Sequence, residues 1–233
     1  WAGEWWKLGG GGTVWDSIVY DPKTSLVLFG TGNAEPWNPA AVDRGTGDAL
    51  YTGSVVAVDA DTGQYRWHFQ ETPEDRWDYD SNAPIILADI EIGGQQRHVA
   101  LHAPKNGYFY VLDAATGEFL SAKPFAEINW STGIDPKTGK AEVAEAARYE
   151  KTGEVFLGMP GAIGAHSWQS MSFSPATGLV YIPTNRAGAA YLADEDWEES
   201  DIGFQVGLDT AKTAMPADTA TREGFAGQTT GSL

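Results

Sequence analysis

The sequence lacks cysteine and has few basic residues. The first absence excludes several kinds of site, and the second disfavours anionic partners. None of the 233 residues is Cys, which excludes disulfides, thiolate metal sites and cysteine nucleophiles. The chain has 15 Lys and Arg against 32 Asp and Glu, for a net charge of −17. Such a chain repels nucleic-acid phosphates and anionic membrane surfaces, so cations and soluble partners fit better. The sequence also lacks an apolar run of about 18 residues that could span a bilayer.

Both ends of the sequence look like cuts through a longer protein. The chain begins at Trp1 rather than Met, without the basic start and apolar stretch of a signal peptide. Its last residues, 229–233, resemble the opening of a strand. Hydrophobic residues make up 42% of the chain, enough for a core of ordinary domain size. We therefore expect residues 1–233 to form part of one domain that continues beyond both ends.

Helical periodicity is nearly absent, and strand patterns predominate. Only residues 141–149 have helical spacing, with a weak, Ala-rich apolar face. Four short apolar runs bounded by turn residues predict strands, namely residues 26–29, 55–58, 108–112 and 179–182. The acidic stretch after Ala187 is rich in turn residues and is interpreted as loop. The pattern predicts an all-β chain.

Internal repeats support a repeated β architecture. One turn type ends a strand with Asp-x-x-Thr-Gly, and another places a Pro-containing turn before an apolar strand. The first occurs at residues 58–63 and 112–117, and the second at residues 20–27 and 173–180. Blades of roughly 40–45 residues would give about four or five in this length. Fewer would fit if the polar segments 34–52 and 126–165 are insertions.

The densest group of polar residues is the Trp-Asp-Tyr-Asp segment at 77–80. Asp78 and Asp80 are two residues apart, so an extended backbone would project both carboxylates to one side. Two carboxylates there would suit a hard cation. Trp77 and Tyr79 favour a buried site, because aromatic neighbours exclude water. The alternative is a solvated acidic loop in an acidic protein.

Two glycine-rich segments are further candidates for binding a ligand. Residues 30–33 read Gly-Thr-Gly-Asn, and Asn33 offers the neutral carbonyl oxygen that hard cations accept. The glycine run 9–12 precedes Thr13 and Trp15, where backbone could approach a flat ligand stacked on the indole. An ordinary turn and a core Trp are the alternatives. No Gly-Lys-Ser/Thr follows and no helix follows, which excludes a P-loop and a dinucleotide fingerprint.

Other catalytic chemistries have little support. The four histidines lack the His-Glu-x-x-His spacing and no Gly-x-Ser-x-Gly elbow exists, which disfavours zinc proteases and triad hydrolases. His166, in Gly-Ala-His-Ser-Trp, is interpreted as structural. Lys105 lies in a turn between two apolar strands, and on its own it would be an ordinary solvated lysine.

Taken together, these segments resemble the pyrroloquinoline-quinone-dependent alcohol dehydrogenases. The matching blocks occur in the same order and cover most of residues 1–186, namely residues 5–16, 30–38, 77–79, 103–113, 164–168 and 178–183. The resemblance implies an eight-bladed β-propeller with four-stranded antiparallel blades, whose axial funnel holds the quinone above a metal ion. A Glu metal ligand, an adjacent-cysteine disulfide and several cofactor contacts are expected upstream, so the fragment alone should be inactive.

The resemblance also implies roles for individual residues. Thr13 and Trp15 match the pair that contacts the quinone ring, with Trp15 as the floor on which it stacks. Lys105 matches a basic residue that hydrogen-bonds the reactive quinone oxygens. Asn185 matches a further cofactor contact, and Asn33 matches a metal ligand.

The acidic segment carries two implied roles. Asp78 matches the carboxylate that takes the alcohol's hydroxyl proton. Asp80 is a departure, because calcium-dependent members resemble this loop without a carboxylate two residues after the base, whereas lanthanide-dependent members carry it. A trivalent hard cation favours more anionic oxygens and polarises a carbonyl more strongly. We therefore expect Asn33, Asp78 and Asp80 to bind a lanthanide, with calcium as the alternative.

The implied activity is oxidation of a primary alcohol to an aldehyde, with single electrons passing to a cytochrome c in the periplasm. A signal peptide is then expected upstream, and a homodimer of the full protein stays open. One alternative is a non-catalytic propeller scaffold for protein assembly, which would not need Asn33, Asp78 and Asp80 to converge. Another is a quinoprotein acting on sugars or aldehydes.

Overall fold

The computed structural model describes residues 1, 4–8, 10–42, 44, 47–199, 206–214 and 230–232. Its strands are β1 Ile18–Asp21, β2 Leu26–Gly30, β3 Ser54–Asp59, β4 Tyr65–Gln70, β5 Ile86–Ile92, β6 Gln95–His102, β7 Tyr108–Asp113, β8 Phe119–Pro124, β9 Ser131–Ile134, β10 Ala141–Val143, β11 Phe156–Gly158, β12 Ser172–Ser174, β13 Leu179–Tyr181, β14 Thr184–Arg186, β15 Ala189–Tyr191 and β16 Thr230–Ser232. Short helices are α1 Tyr149–Thr152 and α2 Thr210–Thr213, with 3-10 turns at Trp5–Leu8, Pro39–Val42 and Glu145–Ala147. No helix in these ranges is long and apolar enough to cross a membrane.

Two four-stranded antiparallel sheets form the main body of the described chain. Their strand orders are β1-β2-β3-β4 and β5-β6-β7-β8, so each is a simple meander. The remaining strands pair two by two as β9 with β10, β11 with β15, β12 with β13 and β14 with β16. The two sheets confirm the predicted all-β class and four-stranded antiparallel blades. Among the described residues, two complete blades are fewer than four or five. Residues 31–53 form a long connection inside the first blade, and the strands after β8 pair only two by two.

Three of the hairpin turns are stabilised by the same hydrogen bond, from a Thr N–H to an Asp side chain. Asp59 accepts a hydrogen bond from the N–H of Thr62 at 2.9 Å, and Asp113 accepts one from Thr116 at 3.1 Å. A glycine with positive φ follows each Thr. Asp135 makes a third copy between β9 and β10. The side chain replaces missing backbone partners and the glycine allows the left-handed conformation, so the sequence sets the hairpin locally.

The core lies between the sheets and is rich in aromatic residues. In β2 burial alternates, with Leu26 and Leu28 facing inward, as expected for a strand with one face on the core. Trp67 and Phe69 of β4 and the fully buried Trp130 join the same cluster. The four predicted strands at residues 26–29, 55–58, 108–112 and 179–182 are confirmed as β2, β3, β7 and β13.

The helix predicted at residues 141–149 is wrong. Ala141–Val143 is strand β10, which pairs with β9 through the Asp135 turn, and α1 starts only at Tyr149. The Ala-rich spacing predicted a helix because it measures local periodicity alone. The hairpin partner and the burial of Tyr149, which stacks on Tyr191, override it.

The stretch after Ala187 is not all loop. Ala189–Tyr191 is β15, paired with β11, and residues 210–213 are helix α2. Tyr191 is fully buried between aromatic rings, a long-range contact that local pattern does not contain. Thr230–Ser232 is a strand as expected. Gly9, Thr229 and Leu233 lie outside the described residues.

Candidate active site

Loops that leave the ends of several strands meet at one place. The loop before β1 reaches the loop after β2, where the N–H of Gly32 donates to the carbonyl of Thr13 at 2.9 Å. The loop after β4 reaches the β6–β7 turn, where the N–H of Lys105 donates to the carbonyl of Asp80 at 3.4 Å. The meander therefore brings together loops that lie between Thr13 and Lys105 in the sequence.

Asp80 is buried at the centre of this group. Its Oδ1 accepts a hydrogen bond from the backbone N–H of Asn33 at 2.7 Å. Its Oδ2 lies 2.7 Å from the Nζ of Lys105. Asp80 and Lys105 are only 5% and 8% exposed, so the ion pair between them is largely shielded from water.

Lys105 also binds Asp78, with Nζ 2.9 Å from Oδ2. The two carboxylates therefore share one ammonium. Burial raises the pKa of Asp78 to about 7, with the charge of Asp80 acting in the same direction and Lys105 opposing both. Burial by itself would lower the pKa of Lys105, but the two carboxylates outweigh it and raise that pKa. The alternatives of a solvated acidic loop and a solvated lysine are wrong.

The backbone at Asp78 differs from the sequence expectation. Asp78 has a φ of +69°, in the left-handed region, so the segment is not extended there. The two carboxylates nevertheless reach the same ammonium, because the turn redirects Asp78 towards Lys105. The sequence predicted the correct pair of carboxylates, but the extended backbone expected between them is not present.

Backbone hydrogen bonds connect Asn185 to the loop of Lys105. The N–H of Asn185 donates to the carbonyl of Ala165 at 2.7 Å, and the N–H of Ala165 donates to Lys105 at 2.9 Å. Trp15 is 45% exposed within the described part of the chain. His166 is fully buried, and both ring nitrogens lie on backbone carbonyls, which supports the structural interpretation.

Three glycines allow the loops of this site to approach each other closely. A Cβ on Gly30 would lie 1.6 Å from the carbonyl oxygen of Ser81. A Cβ on Gly32 would lie 3.0 Å from the Oδ1 of Asp80. Gly164, with a φ of +81°, faces Lys105, and a Cβ there would lie 2.4 Å from the lysine Cγ. The close approach of loops, and not the turns alone, requires these glycines.

We expect Gly30→Ala in the full-length protein to lower the free energy of unfolding by about 3 kcal/mol or more, because overlap with backbone forces a whole loop to move. Urea unfolding measures this loss. Gly47→Ala is the matched control, since its Cβ would meet nothing closer than 3.5 Å. Equal stability of the two variants would contradict the described packing of residues 30–33 against residues 80–82.

The donor atoms here fit part of a hard-cation site. Asp78, Asp80 and Asn33 offer only oxygen ligands, the type that hard cations prefer. In the described chain the buried Oδ1 of Asn82 and the buried Oγ of Ser81 have no hydrogen-bond partner. The described residues contain no group of three or more His, Asp or Glu that could hold a metal. Two carboxylates and an amide would therefore need further ligands from elsewhere.

Comparison with known proteins identifies the family. The family model described as the PQQ glucose, ethanol and alcohol dehydrogenase β-propeller domain matches residues 1–129. An alcohol dehydrogenase (quinone) dehydrogenase subunit from Komagataeibacter europaeus is 46% identical over 232 residues, covering 96% of this chain and 30% of its own length. A quinohemoprotein alcohol dehydrogenase from Comamonas testosteroni is 47% identical, covering 87% of this chain and 28% of its own.

Solved structures agree with the sequence comparison. The quinohemoprotein alcohol dehydrogenase ADHIIG from Pseudomonas putida HK5 superposes with a TM-score of 0.92 at 43% identity, covering 99% of this chain and 34% of that one. A europium-containing methanol dehydrogenase superposes with a TM-score of 0.81 at 36% identity, covering 89% and 35%. The chain spans about a third or less of these relatives. It belongs to the family of PQQ glucose, ethanol and alcohol dehydrogenases, and it forms part of their β-propeller domain.

Proposed function

We propose that the full-length protein oxidises a primary alcohol to an aldehyde with pyrroloquinoline quinone and a metal ion. The observation that carries this proposal is the ammonium of Lys105 shared between Asp78 and Asp80, next to Asn33. The names of relatives that are 46–47% identical support the alcohol as substrate. The side chains of Asp78, Asp80 and Lys105 converge, and the backbone N–H of Asn33 joins them. A scaffold would not need this arrangement, so it favours the enzyme.

Asp78 is the general base in this proposal. Its carboxylate is partly buried, and in the metal-free protein its pKa is raised to about 7, so it can take up a proton near neutral pH. In this proposal Lys105 holds Asp78 in place and would donate a hydrogen bond to a carbonyl oxygen of the cofactor. Bound quinone and metal would supply a hydride acceptor and a Lewis acid. In this proposal the quinone would stack on Trp15, with Thr13 and Asn185 as further contacts.

We propose a lanthanide, held by Asn33, Asp78 and Asp80, as the metal. Asp80 adds a second carboxylate beside the base, and extra negative charge favours a trivalent ion over a divalent one. A europium-containing relative shares the fold at 36% identity.

Calcium is the second candidate, and one observation favours it. Both oxygens of Asp80 already have protein partners, the N–H of Asn33 and the ammonium of Lys105. In that arrangement Asp80 orients Lys105 and leaves the metal to Asn33 and Asp78. A lanthanide would require Asp80 to share an oxygen or to release Lys105.

Asp80→Ala in the full-length enzyme separates these two candidates. With a lanthanide ligand at this position, we expect the lanthanide-supported kcat to fall at least about a hundredfold, because one anionic ligand is lost. The measurement compares the enzyme reconstituted with quinone and either a lanthanide or calcium. Asp113→Ala, in a surface turn, is the control. Unchanged lanthanide dependence in Asp80→Ala would contradict the lanthanide assignment.

The electron acceptor and the compartment are part of the same proposal. We propose that single electrons pass to a cytochrome c and that the protein works in the periplasm. Reduction of a purified cytochrome c at a rate that follows alcohol turnover supports this acceptor. Turnover with an artificial dye but none with the cytochrome contradicts it.

A further inference from the structure

The loop that carries Asp78 is held by side chains from distant segments. Residues 75–79 belong to no strand or helix. Three successive carbonyls each accept a hydrogen bond from a buried side chain, with Arg44 donating to Asp75 at 3.2 Å, Tyr149 to Arg76 at 2.9 Å and Tyr191 to Trp77 at 3.1 Å. Buried backbone groups need such partners. The donors fix where the loop runs.

The carboxylate of Asp75 fixes how the loop turns. Its Oδ1 accepts hydrogen bonds from the N–H groups of Trp77 and Tyr79, both at 3.1 Å. Those two N–H groups lie on either side of Asp78. Asp75 is fully buried, so water cannot take over this role.

Asp78 needs this support because its conformation is unfavourable for a residue with a side chain. Its φ of +69° lies in the left-handed region, which non-glycine residues occupy only when the surroundings enforce it. If the φ relaxed to a negative value, the side chain would point elsewhere. The carboxylate of Asp78 would then leave the ammonium of Lys105.

We propose that Asp75 is a positioning residue for Asp78, acting through the backbone of Trp77 and Tyr79. The proposal rests on the function proposed above, in which Asp78 is the base. Asp75 itself does not reach the reacting atoms, because it is fully buried against its own loop. Its contribution is the orientation of a neighbouring carboxylate, and small errors of placement there reduce the rate strongly.

The experiment compares Asp75→Ala and Asp75→Asn in the full-length, cofactor-loaded enzyme. We expect Asp75→Ala to lower kcat about a hundredfold with KM within about twofold, because orientation and not substrate binding is lost. Asp75→Asn should recover at least about tenfold of this loss, since its amide oxygen still accepts both N–H groups. The control is Asp135→Asn. Asp135 also accepts hydrogen bonds from two backbone N–H groups, but it does so in an exposed turn, so this variant should keep kcat.

Hydrogen–deuterium exchange gives a readout that does not depend on activity. Amides of residues 76–80 should exchange faster in Asp75→Ala than in Asp75→Asn, while β2 and β7 stay protected. The proposal is overturned if Asp75→Ala keeps kcat within twofold and leaves exchange unchanged. It is also overturned if Asp75→Asn is as slow as Asp75→Ala, because a general loss of stability would then explain both. If the wild type oxidises no alcohol, the proposed function fails, and local exchange alone decides the role of Asp75.

Discussion

Asp78→Asn in the full-length enzyme should lower kcat for alcohol oxidation about a thousandfold. The amide keeps the size of the side chain and an oxygen that can accept from Lys105, but it cannot take the hydroxyl proton. General bases contribute roughly 10²–10⁴ to enzymatic rates. Steady-state kcat at saturating alcohol, in enzyme shown by elemental analysis to hold its metal, measures the effect.

The control for Asp78→Asn is Asp113→Asn, which removes the same charge at a surface turn. Asp113 lies in the turn after β7 and accepts hydrogen bonds from two neighbouring backbone N–H groups, both at 3.1 Å. We expect this variant to keep kcat within about twofold, as surface substitutions seldom disturb a distant site. A loss of less than tenfold in metal-loaded Asp78→Asn would contradict the assignment of Asp78 as the base.

Lys105→Met should destabilise the metal-free protein by about 3 kcal/mol, because removing one partner leaves buried charges without compensation. Asp78 and Asp80 then face each other, and their side chains are only 21% and 7% exposed. Urea unfolding of the full-length, metal-free protein measures this loss. A bound metal ion should recover part of it, since a cation again lies near both carboxylates.

Lys140→Met is the matched control for Lys105→Met. Its ammonium lies 2.7 Å from Asp48, the same distance as in the buried pair with Asp80, but its side chain is 54% exposed. We expect a change of less than about 1 kcal/mol, as is usual for surface ion pairs. If Lys105→Met and Lys140→Met cost the same, the buried cluster is not the charge-compensated group described above.

Local chemistry explains which parts of the fold the sequence predicts well. The apolar run that became β7 lies between turn residues, and the turn after it contains its own hydrogen-bond acceptor, Asp113. Such elements carry their own start and stop signals within a few residues. Short turns join most neighbouring strands of the two meanders and favour their antiparallel pairing, whereas β2 and β3 are separated by the long connection at residues 31–53.

Long-range packing explains the elements that the sequence did not predict. Strand β15 is three residues long, and Tyr191 fixes it through rings and a backbone carbonyl more than thirty residues away. The Ala-rich segment at residues 141–149 has helical spacing, but it forms strand β10, a 3-10 turn and only the first residue of α1. In both cases the deciding partner is distant, so a pattern within one window does not contain it.

The candidate site also contains residues that the sequence identified and residues that it did not. The resemblance to the quinone-dependent dehydrogenases identified Asn33, Asp78, Asp80 and Lys105, and the structure brings these four together. It did not identify Asp75, whose role depends on a turn conformation that the sequence does not display. Gly164 was missed for a similar reason, because its importance lies in the space that it leaves for a side chain from another loop.

A crystal structure of the full-length enzyme prepared with quinone and a lanthanide tests the proposed site most directly. Anomalous scattering should locate one ion about 2.3–2.6 Å from oxygens of Asn33, Asp78 and Asp80, the usual range for large hard cations. The quinone should stack on Trp15 with an oxygen within hydrogen-bond distance of Lys105. An ion bound elsewhere, with Lys105 still closing the space between Asp78 and Asp80, would contradict the proposed metal and quinone site.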